Sequence, residues 1–281
     1  MSHPWDEGRA AFIGCGKMGE AMLAGWLSSD DASAAKLASR GFDVIVPDAA
    51  RRESLESRYG VRTFASASDA PADASIIILA VKPQVMDDVV GELASSPAFA
   101  DATPLVVSIA AGIPCARLEG ALPVGTSVIR VMPNMPLQVQ AGASVVAGGA
   151  YADQAEVSFA NDLFAALGTS QVVDEQQIDA VCALSGGGPA YFAYLAECLA
   201  AKAEEAGLSA ELARSLARQT LAGTGVFLAK GTSTLSELRG SVCSPGGTTL
   251  AALAAMDSGG FAAAAGAGVD AAIERAKELS R

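Results

Sequence analysis

The stretch "AAFIGCGKMGEAM", residues 10 to 22, joins a short apolar run to a helix-forming run through three glycines. "AAFIG" is continuous and apolar, as suits a strand buried on both faces of a sheet. Gly14, Gly16 and Gly19 follow in the spacing GxGxxG, and the residues after them form helix well. The first glycine permits a tight turn, the second lets backbone approach a pyrophosphate, and the third lets helix pack closely on strand. A helix start also presents unpaired N–H groups and the positive end of its dipole. Gly14, Gly16, Lys17, Met18 and Gly19 are therefore the expected phosphate cradle for a dinucleotide. The spacing alone also fits a glycine-rich turn, and its place at the head of a strand–helix alternation gives it weight.

That alternation runs through the first half of the chain. "DVIVPD" (43 to 48), "SIIILAV" (75 to 81), "LVVSIA" (105 to 110) and "SVIRVMP" (127 to 133) are short β-branched runs separated by helical lengths. Such a pattern predicts a parallel sheet covered on both faces. "ASVVAG" (143 to 148) and "QVV" (171 to 173) add edge strands, with a helix over 153 to 167 between them. After about residue 174 the strand signal ends. "DEQQIDAVCAL", "PAYFAYLAECLAAKAEEAGL", "SAELARSLARQTLAGTGVFLAKG" and "SGGFAAAAGAGVDAAIERAKEL" carry helical spacing of apolar residues. Pro189 suits a first helical turn, Gly207 a helix end and Ser209 an N-cap. The predicted architecture is an α/β Rossmann-type doubly wound parallel sheet domain, residues 1–174, followed by an all-α domain, residues 175–281.

Composition excludes several function classes. The 281 residues are 51% hydrophobic, but the longest apolar runs fall short of the roughly 20 residues of a membrane span. "MSHPWDEGRA" lacks the apolar core of a secretory signal, so a soluble, cytoplasmic protein with no membrane partner is expected. A net charge of −12, with no basic run longer than Arg51-Arg52, argues against nucleic acid. Cys15, Cys115, Cys182, Cys198 and Cys243 show no CxxC spacing, so reduced thiols and no metal are expected. The single histidine, His3, leaves no histidine for a catalytic triad.

Polar residues punctuate the expected carboxyl ends of the strands, where a doubly wound sheet binds ligands. After the second strand stand Asp48, Arg51 and Arg52. A carboxylate there binds a ribose 2′-hydroxyl, whereas arginine accommodates a 2′-phosphate. Asp48 serves equally as a helix N-cap and the arginines as solvated charges, so the choice between NADPH and NADH stays open, leaning to NADPH. "AVKPQ" (80 to 84) supplies Ala80, Val81, Lys82 and Pro83 after the third strand. "SIAAGI" (108 to 113) keeps side chains small at Ala110, Ala111 and Gly112, and "RVMPNMP" (130 to 136) places Asn134 between prolines. Each also reads as an ordinary loop. In the helical half, "LSGGGPAYF" (184 to 192) and "SVCSPGGTT" (241 to 249) free backbone N–H groups, with Pro245 expected to open a helix carrying Thr249 in its first turn.

Taken together, "FIGCGKMGEAM", "AVKPQ", "SIAAGI", "RVMPNMP", "ALSGGGPAYF" and "LRGSVCSPGGTT" resemble the pyrroline-5-carboxylate reductase family in order and spacing, from about residue 10 to residue 257. The resemblance implies NAD(P)H-dependent reduction of L-1-pyrroline-5-carboxylate to L-proline, the last step of proline biosynthesis. It implies a homodimer through the helical domain, with dimers assembling into rings. It places Lys82, Pro83 and Ala110 near the ribose and nicotinamide, with Asn134 on the pocket wall. Ser244, Gly246, Gly247, Thr248 and Thr249 become the substrate-carboxylate loop, with Thr249 at the ring nitrogen. Lys17, Gly187 and "PDAARR" depart from the family's usual pattern. A nucleotide-binding regulator or scaffold that kept the fold and lost turnover is a rival of another class, and a β-hydroxyacid dehydrogenase is the nearest rival enzyme. It needs a catalytic lysine, and Lys202 and Lys230 read as surface charges.

Overall fold

A computed structural model describes Trp5 and residues 7 to 280; His3 lies outside the described residues. Eight strands form one sheet: β1 (Arg9–Ile13), β2 (Phe42–Ile45), β3 (Arg62–Phe64), β4 (Ala74–Leu79), β5 (Leu105–Ser108), β6 (Val128–Met132), β7 (Gly142–Gly148) and β8 (Gly168–Val172). They lie in the order β3-β2-β1-β4-β5-β6-β7-β8. Every neighbouring pair is parallel except β6 with β7. The first six strands thus have the doubly wound order of a dinucleotide-binding sheet.

The helices α1 (Lys17–Leu27), α2 (Ala32–Arg40), α3 (Ala49–Tyr59), α4 (Met86–Leu93), α5 (Cys115–Ala121) and α6 (Gln154–Ala165) connect or flank the strands. Strand side chains alternate between two buried layers, as the pleat requires. Phe12, Ile76, Ile78, Val107 and Ile129 point to one layer, closed by Met22, Trp26 and Phe164. Ile13, Ile77, Leu79 and Val106 point to the other, closed by Met86, Val90 and Leu118. In the first layer Trp26 meets Phe164 edge to face, ring centroids 5.6 Å apart, and its indole N–H donates to the Leu163 carbonyl at 2.8 Å. That satisfies the polar end of an otherwise apolar ring.

Strand β3 was not expected from the sequence. It is three residues long and starts with a charge, so periodicity has nothing to register. An ion-pair network holds it in place. Asp43, fully buried on β2, accepts from Arg9 Nε at 3.0 Å and from Arg62 Nε and Nη2 at 2.7 and 2.6 Å. Arg9 also donates to the carbonyls of Arg40 and Phe42.

By compactness the chain divides into one unit that reaches Gly186 and takes in the chain again from Ile273, and a second unit, Gly187–Ala272. After β8 the strand signal has ended, but α7 (Ile178–Val181) and a π turn at Cys182–Gly186 still belong to the first unit. The expected long helix over 174 to 184 is therefore short, and the backbone turns more loosely before the next helix. The second unit holds α8 (Gly188–Glu205), α9 (Ala210–Lys230), α10 (Leu235–Ser241), α11 (Thr248–Ser258) and most of α12 (Phe261–Leu279). Pro189 stands in the first turn of α8 and Ser209 caps α9 by accepting from the Leu212 N–H. No single described helix is long and apolar enough to cross a membrane; α11 and α12, bent by 56° at their break, pass by length and composition only as a pair.

Replacing Asp43 by Ala strands two guanidinium groups beside a buried strand. Because both arginines are partly solvated, the expected loss is about 2–3 kcal/mol, below that of a fully buried pair. Urea unfolding reads this directly, and an unchanged midpoint would show that the network does not hold the β3 edge.

Candidate active site

The glycine loop leaves β1 through a single sharp turn. Gly14 adopts φ +82°, and a Cβ there would lie 2.6 Å from Val81 Cγ1, so only glycine fits. Its N–H donates to the Ile45 carbonyl at 2.9 Å, which ties the turn to β2. Gly16 then caps α1 in extended geometry with no side-chain hydrogen bond to the helix. A Cβ on Gly16 would meet nothing within 4 Å. Gly19 packs α1 onto Ala80, its ideal Cβ position only 3.3 Å from the Ala80 Cβ. The result is an uncapped helix start with open space in front of it, as a bound pyrophosphate requires. Lys17 is exposed there, and Met18 turns inward against the core. Cys15 is buried within the loop, and burial pushes its thiol up to about 11, which leaves it unreactive.

At the end of β2 the three charged residues separate in role. Asp48 is the N-cap of α3: its Oδ1 accepts from the Arg51 N–H at 2.8 Å. Arg52 folds back and donates from Nη1 to the carbonyls of Val46 and Pro47, both at 2.8 Å. Arg51 reaches across to the glycine loop, where Nη2 donates to the Cys15 carbonyl at 3.0 Å and to Glu20 Oε2 at 2.5 Å. Glu20, in the first turn of α1, also accepts from Arg58 and, at 3.0 Å, from the Tyr59 hydroxyl. Burial raises the Glu20 pKa, but the hydrogen bonds from Arg51 and Tyr59 and the charges of Arg51 and Arg58 outweigh it, holding the carboxyl below its usual range. This carboxylate therefore remains ionised at neutral pH and loses its grip only as pH falls through that lowered value. Nothing in the sequence marked Glu20, since an acid in a first helical turn is common.

The adjacent strand ends line up beside this turn. The Ala80 N–H donates to the Ile13 carbonyl at 2.9 Å and the Ile109 N–H to the Leu79 carbonyl at 3.1 Å, so the ladder runs one residue past each strand. Lys82 is exposed at the start of a 3₁₀ turn, Pro83–Val85, with no ion pair among the described residues. Ala110 is buried, its N–H 3.3 Å from Ser108 Oγ, and Gly112 turns the chain at φ +74°. Asn134 is committed to the protein itself. Its Oδ1 accepts from the Ala143 N–H at 2.8 Å and its Nδ2 donates to the Ser185 carbonyl at 3.1 Å. It braces the loop after β6 against the π turn.

In the second unit, the loop before α11 is a β-turn, and Pro245 does not open a helix as expected. The Gly247 N–H donates to the Ser244 carbonyl at 2.9 Å, with Pro245 and Gly246 (φ +71°) as the central residues. Proline's fixed φ followed by a positive-φ glycine suits a type II turn and stops helical propagation until Thr248. Gly247 becomes the N-cap of α11 and supplies no side-chain cap. The first-turn N–H groups at Thr248, Thr249 and Leu250 therefore have no intrahelical acceptor. Thr249 is half-buried beside them, while Ser244, Gly246 and Thr248 are exposed. Of the two lysines weighed for hydroxyacid chemistry, Lys202 pairs with Glu205 on an exposed face and Lys230 closes the exposed end of α9.

Residues 9–112 match the family described as NADP oxidoreductase, coenzyme F420-dependent, and residues 175–279 match the pyrroline-5-carboxylate reductase dimerisation family. A pyrroline-5-carboxylate reductase of Mycobacterium tuberculosis is 38% identical over 96% of both chains. One of Pseudomonas aeruginosa is 38% identical over 97% of both. The chain belongs to the pyrroline-5-carboxylate reductase family. A solved pyrroline-5-carboxylate reductase from Coxiella burnetii superposes with a TM-score of 0.87 at 31% identity, over 98% of this chain and 99% of that one.

Gly16→Ala separates folding from binding at this loop. Its φ of −74° suits alanine and the methyl group meets no protein atom, so the melting temperature should hold. The methyl occupies the space a pyrophosphate needs, and dinucleotide affinity should fall about tenfold or more. Unaltered affinity in a fluorescence titration would remove the loop from the binding site.

Proposed function

We propose that the protein reduces L-1-pyrroline-5-carboxylate to L-proline with NADPH, closing proline biosynthesis in the cytoplasm. The observation that carries the substrate reading is the turn Ser244–Gly247 in front of α11. It offers free N–H groups and one half-buried hydroxyl, and no strong acid or base. Those groups suit a small anionic ring: the helix N-terminus receives its carboxylate, and Thr249 Oγ1 hydrogen-bonds its nitrogen. Ser244, Gly246, Gly247 and Thr248 shape the carboxylate side.

When bound, the nicotinamide supplies a hydride for the imine carbon, so the protein's task is orientation, exclusion of water and one proton at nitrogen. Gly14 to Gly19 hold the pyrophosphate. Ala80, Val81, Lys82 and Pro83 flank the ribose, and Ala110 leaves room for the ring. Asn134 acts indirectly, by bracing its loop. A threonine hydroxyl, or a water it orders, is sufficient as a proton relay because a cyclic imine takes up a proton near neutral pH. The turn Ser244–Thr249 itself carries no histidine and no charged side chain, which fits this division of labour.

The residues after β2 favour NADPH over NADH. Asp48 Oδ1 is already occupied as a helix cap, whereas Arg51, with Arg52 next to it, brings a guanidinium to the glycine loop. Arg51 and Arg52 are thus the residues for a 2′-phosphate, and Glu20 keeps Arg51 in place.

The helical unit supports self-association through the region 175–281, with 1–174 as the dinucleotide-binding domain. In α8 and α9 only Gly188, Ala200 and Ala213 are buried, and α10 and α11 bury nothing. Tyr191, Phe192, Leu216, Val226 and Phe227 are exposed. Helices so poorly covered need a partner surface, and a second copy of the same domain provides one. Rings of such dimers extend the same reading.

Two expected outcomes test the site. Thr249→Ala should lower kcat/KM for the pyrroline on the order of 100-fold, as loss of a preorganised hydrogen bond does; wild-type kcat/KM would take the hydroxyl out of the reaction. Arg51→Met should raise the KM for NADPH roughly tenfold more than that for NADH, by loss of a charged hydrogen bond. Equal changes for both cofactors would place the 2′-phosphate elsewhere.

A further inference from the structure

A buried arginine beneath the sheet's carboxyl edge takes no part in the roles assigned so far. Arg130 lies on β6 beside Ser108 of β5, with its side chain only 5% exposed. Burying a guanidinium is costly unless it is paired, and Arg130 meets two carboxylates. Nη1 donates to Glu175 Oε1 at 3.3 Å, and Nη2 lies 3.7 Å from Asp179 Oδ1.

Each carboxylate leads to a different part of the same loop. Glu175 Oε1 also accepts from the Cys115 N–H at 2.7 Å, and Cys115 is the first residue of α5. Glu175 thus caps the helix into which the loop after β5 runs. Asp179 Oδ1 accepts from Ser280 Oγ at 3.2 Å, just past the end of α12. That seats the last turn of α12 against the middle of the loop, at Gly112. A Cβ on Gly112 would lie 2.9 Å from Leu279 Cβ and 3.0 Å from the Leu279 carbonyl oxygen, so the two backbones touch. The segment from Ala110 to Cys115 is therefore bracketed by a cap at its far end and a wedge at its middle. Both brackets lead back to one guanidinium.

We propose that Arg130 is a positioning residue for hydride transfer: through Glu175 on one side and Asp179–Ser280 on the other it fixes the Ala110–Gly112 loop that faces the nicotinamide. The role rests on the reading of Ala110 given above. Arg130 touches neither cofactor nor substrate; it sets how far the loop can relax. A displacement of about an ångström at a reacting centre costs up to about 100-fold in rate, whereas pyrophosphate binding at the glycine loop, two strands away across β4, should be unaffected. The expected signature is a loss in kcat with little change in NADPH affinity.

The test uses the full-length protein with Arg130→Met, Arg130→Lys and Ser280→Ala. Arg130→Met should lower kcat about tenfold or more and leave the NADPH dissociation constant within about twofold. Ser280→Ala, which removes one hydroxyl at the chain's end and should fold normally, should lower kcat about threefold in the same direction. Arg130→Lys should recover part of the loss. Hydrogen exchange of the ligand-free proteins should show faster exchange at residues 109 to 115 in Arg130→Met and Ser280→Ala, and unchanged exchange at residues 14 to 19. Full kcat in folded Ser280→Ala and Arg130→Met, with only a lowered melting temperature, would make the cluster purely structural and overturn the proposal. Faster exchange in the loop with full kcat would overturn it as well. Failure of the wild-type protein itself to oxidise NADPH in the presence of the pyrroline would instead defeat the reading on which the proposal rests.

Discussion

The first turn after β1 sets the geometry of everything downstream. Gly14 passes so close to Val81 and Ala80 that no side chain fits, and it does so at a φ that L-residues avoid. Because the turn is this tight, α1 starts within three residues of the strand's end. Its N-terminus therefore stands directly over the carboxyl edge shared by β1, β4 and β5. A wider loop would carry that helix start away from the edge and leave the phosphates with only solvated side chains. The ladder bonds that extend one residue past β4 and β5 keep Ala80 and Ile109 in line with it.

The charged residues around this turn work mostly on backbone, and that shapes what they do. Arg51, Arg52 and Asp48 all contact main-chain groups, and Glu20 gathers Arg51, Arg58 and Tyr59 against α1. Arg130 pairs instead with two carboxylates, of which Glu175 accepts from the Cys115 N–H after β5 and Asp179 from the Ser280 hydroxyl. In both places a buried or half-buried ion pair fixes a loop instead of adding much net stability, the use of such pairs that desolvation costs leave open. The reaction chemistry itself asks little of the side chains, which is why a chain with no histidine among its site residues suffices.

Much of this was legible in the sequence where a physical signal was strong and local. Short apolar runs marked seven of the eight strands near their observed places, β8 only in its second half, and GxGxxG marked the turn from β1 into α1. The strand at Arg62–Phe64 was not legible, because three residues cannot establish a period and the ion pair that secures it comes from Asp43, nineteen residues away. Pro245 was misread because proline suits both a first helical turn and position i+1 of a β-turn; the positive φ of Gly246 decides between them. Asn134 looked like a pocket residue, yet both ends of its amide are used inside the protein. Glu20 and Arg130 both stand inside quoted motifs, yet their roles were not legible, since the partners that reveal them are distant in sequence.

The proposed reaction is hydride transfer from a reduced nicotinamide to the imine carbon of a cyclic imine bearing a carboxylate. The most direct measurement follows the hydrogen itself, by mass spectrometry of the product formed from L-1-pyrroline-5-carboxylate and NADPH deuterated at the transferring position. The expected product is proline carrying one deuterium at the former imine carbon, formed only when protein and both substrates are present. Oxidation of NADPH without labelled proline, or no oxidation at all, would contradict it.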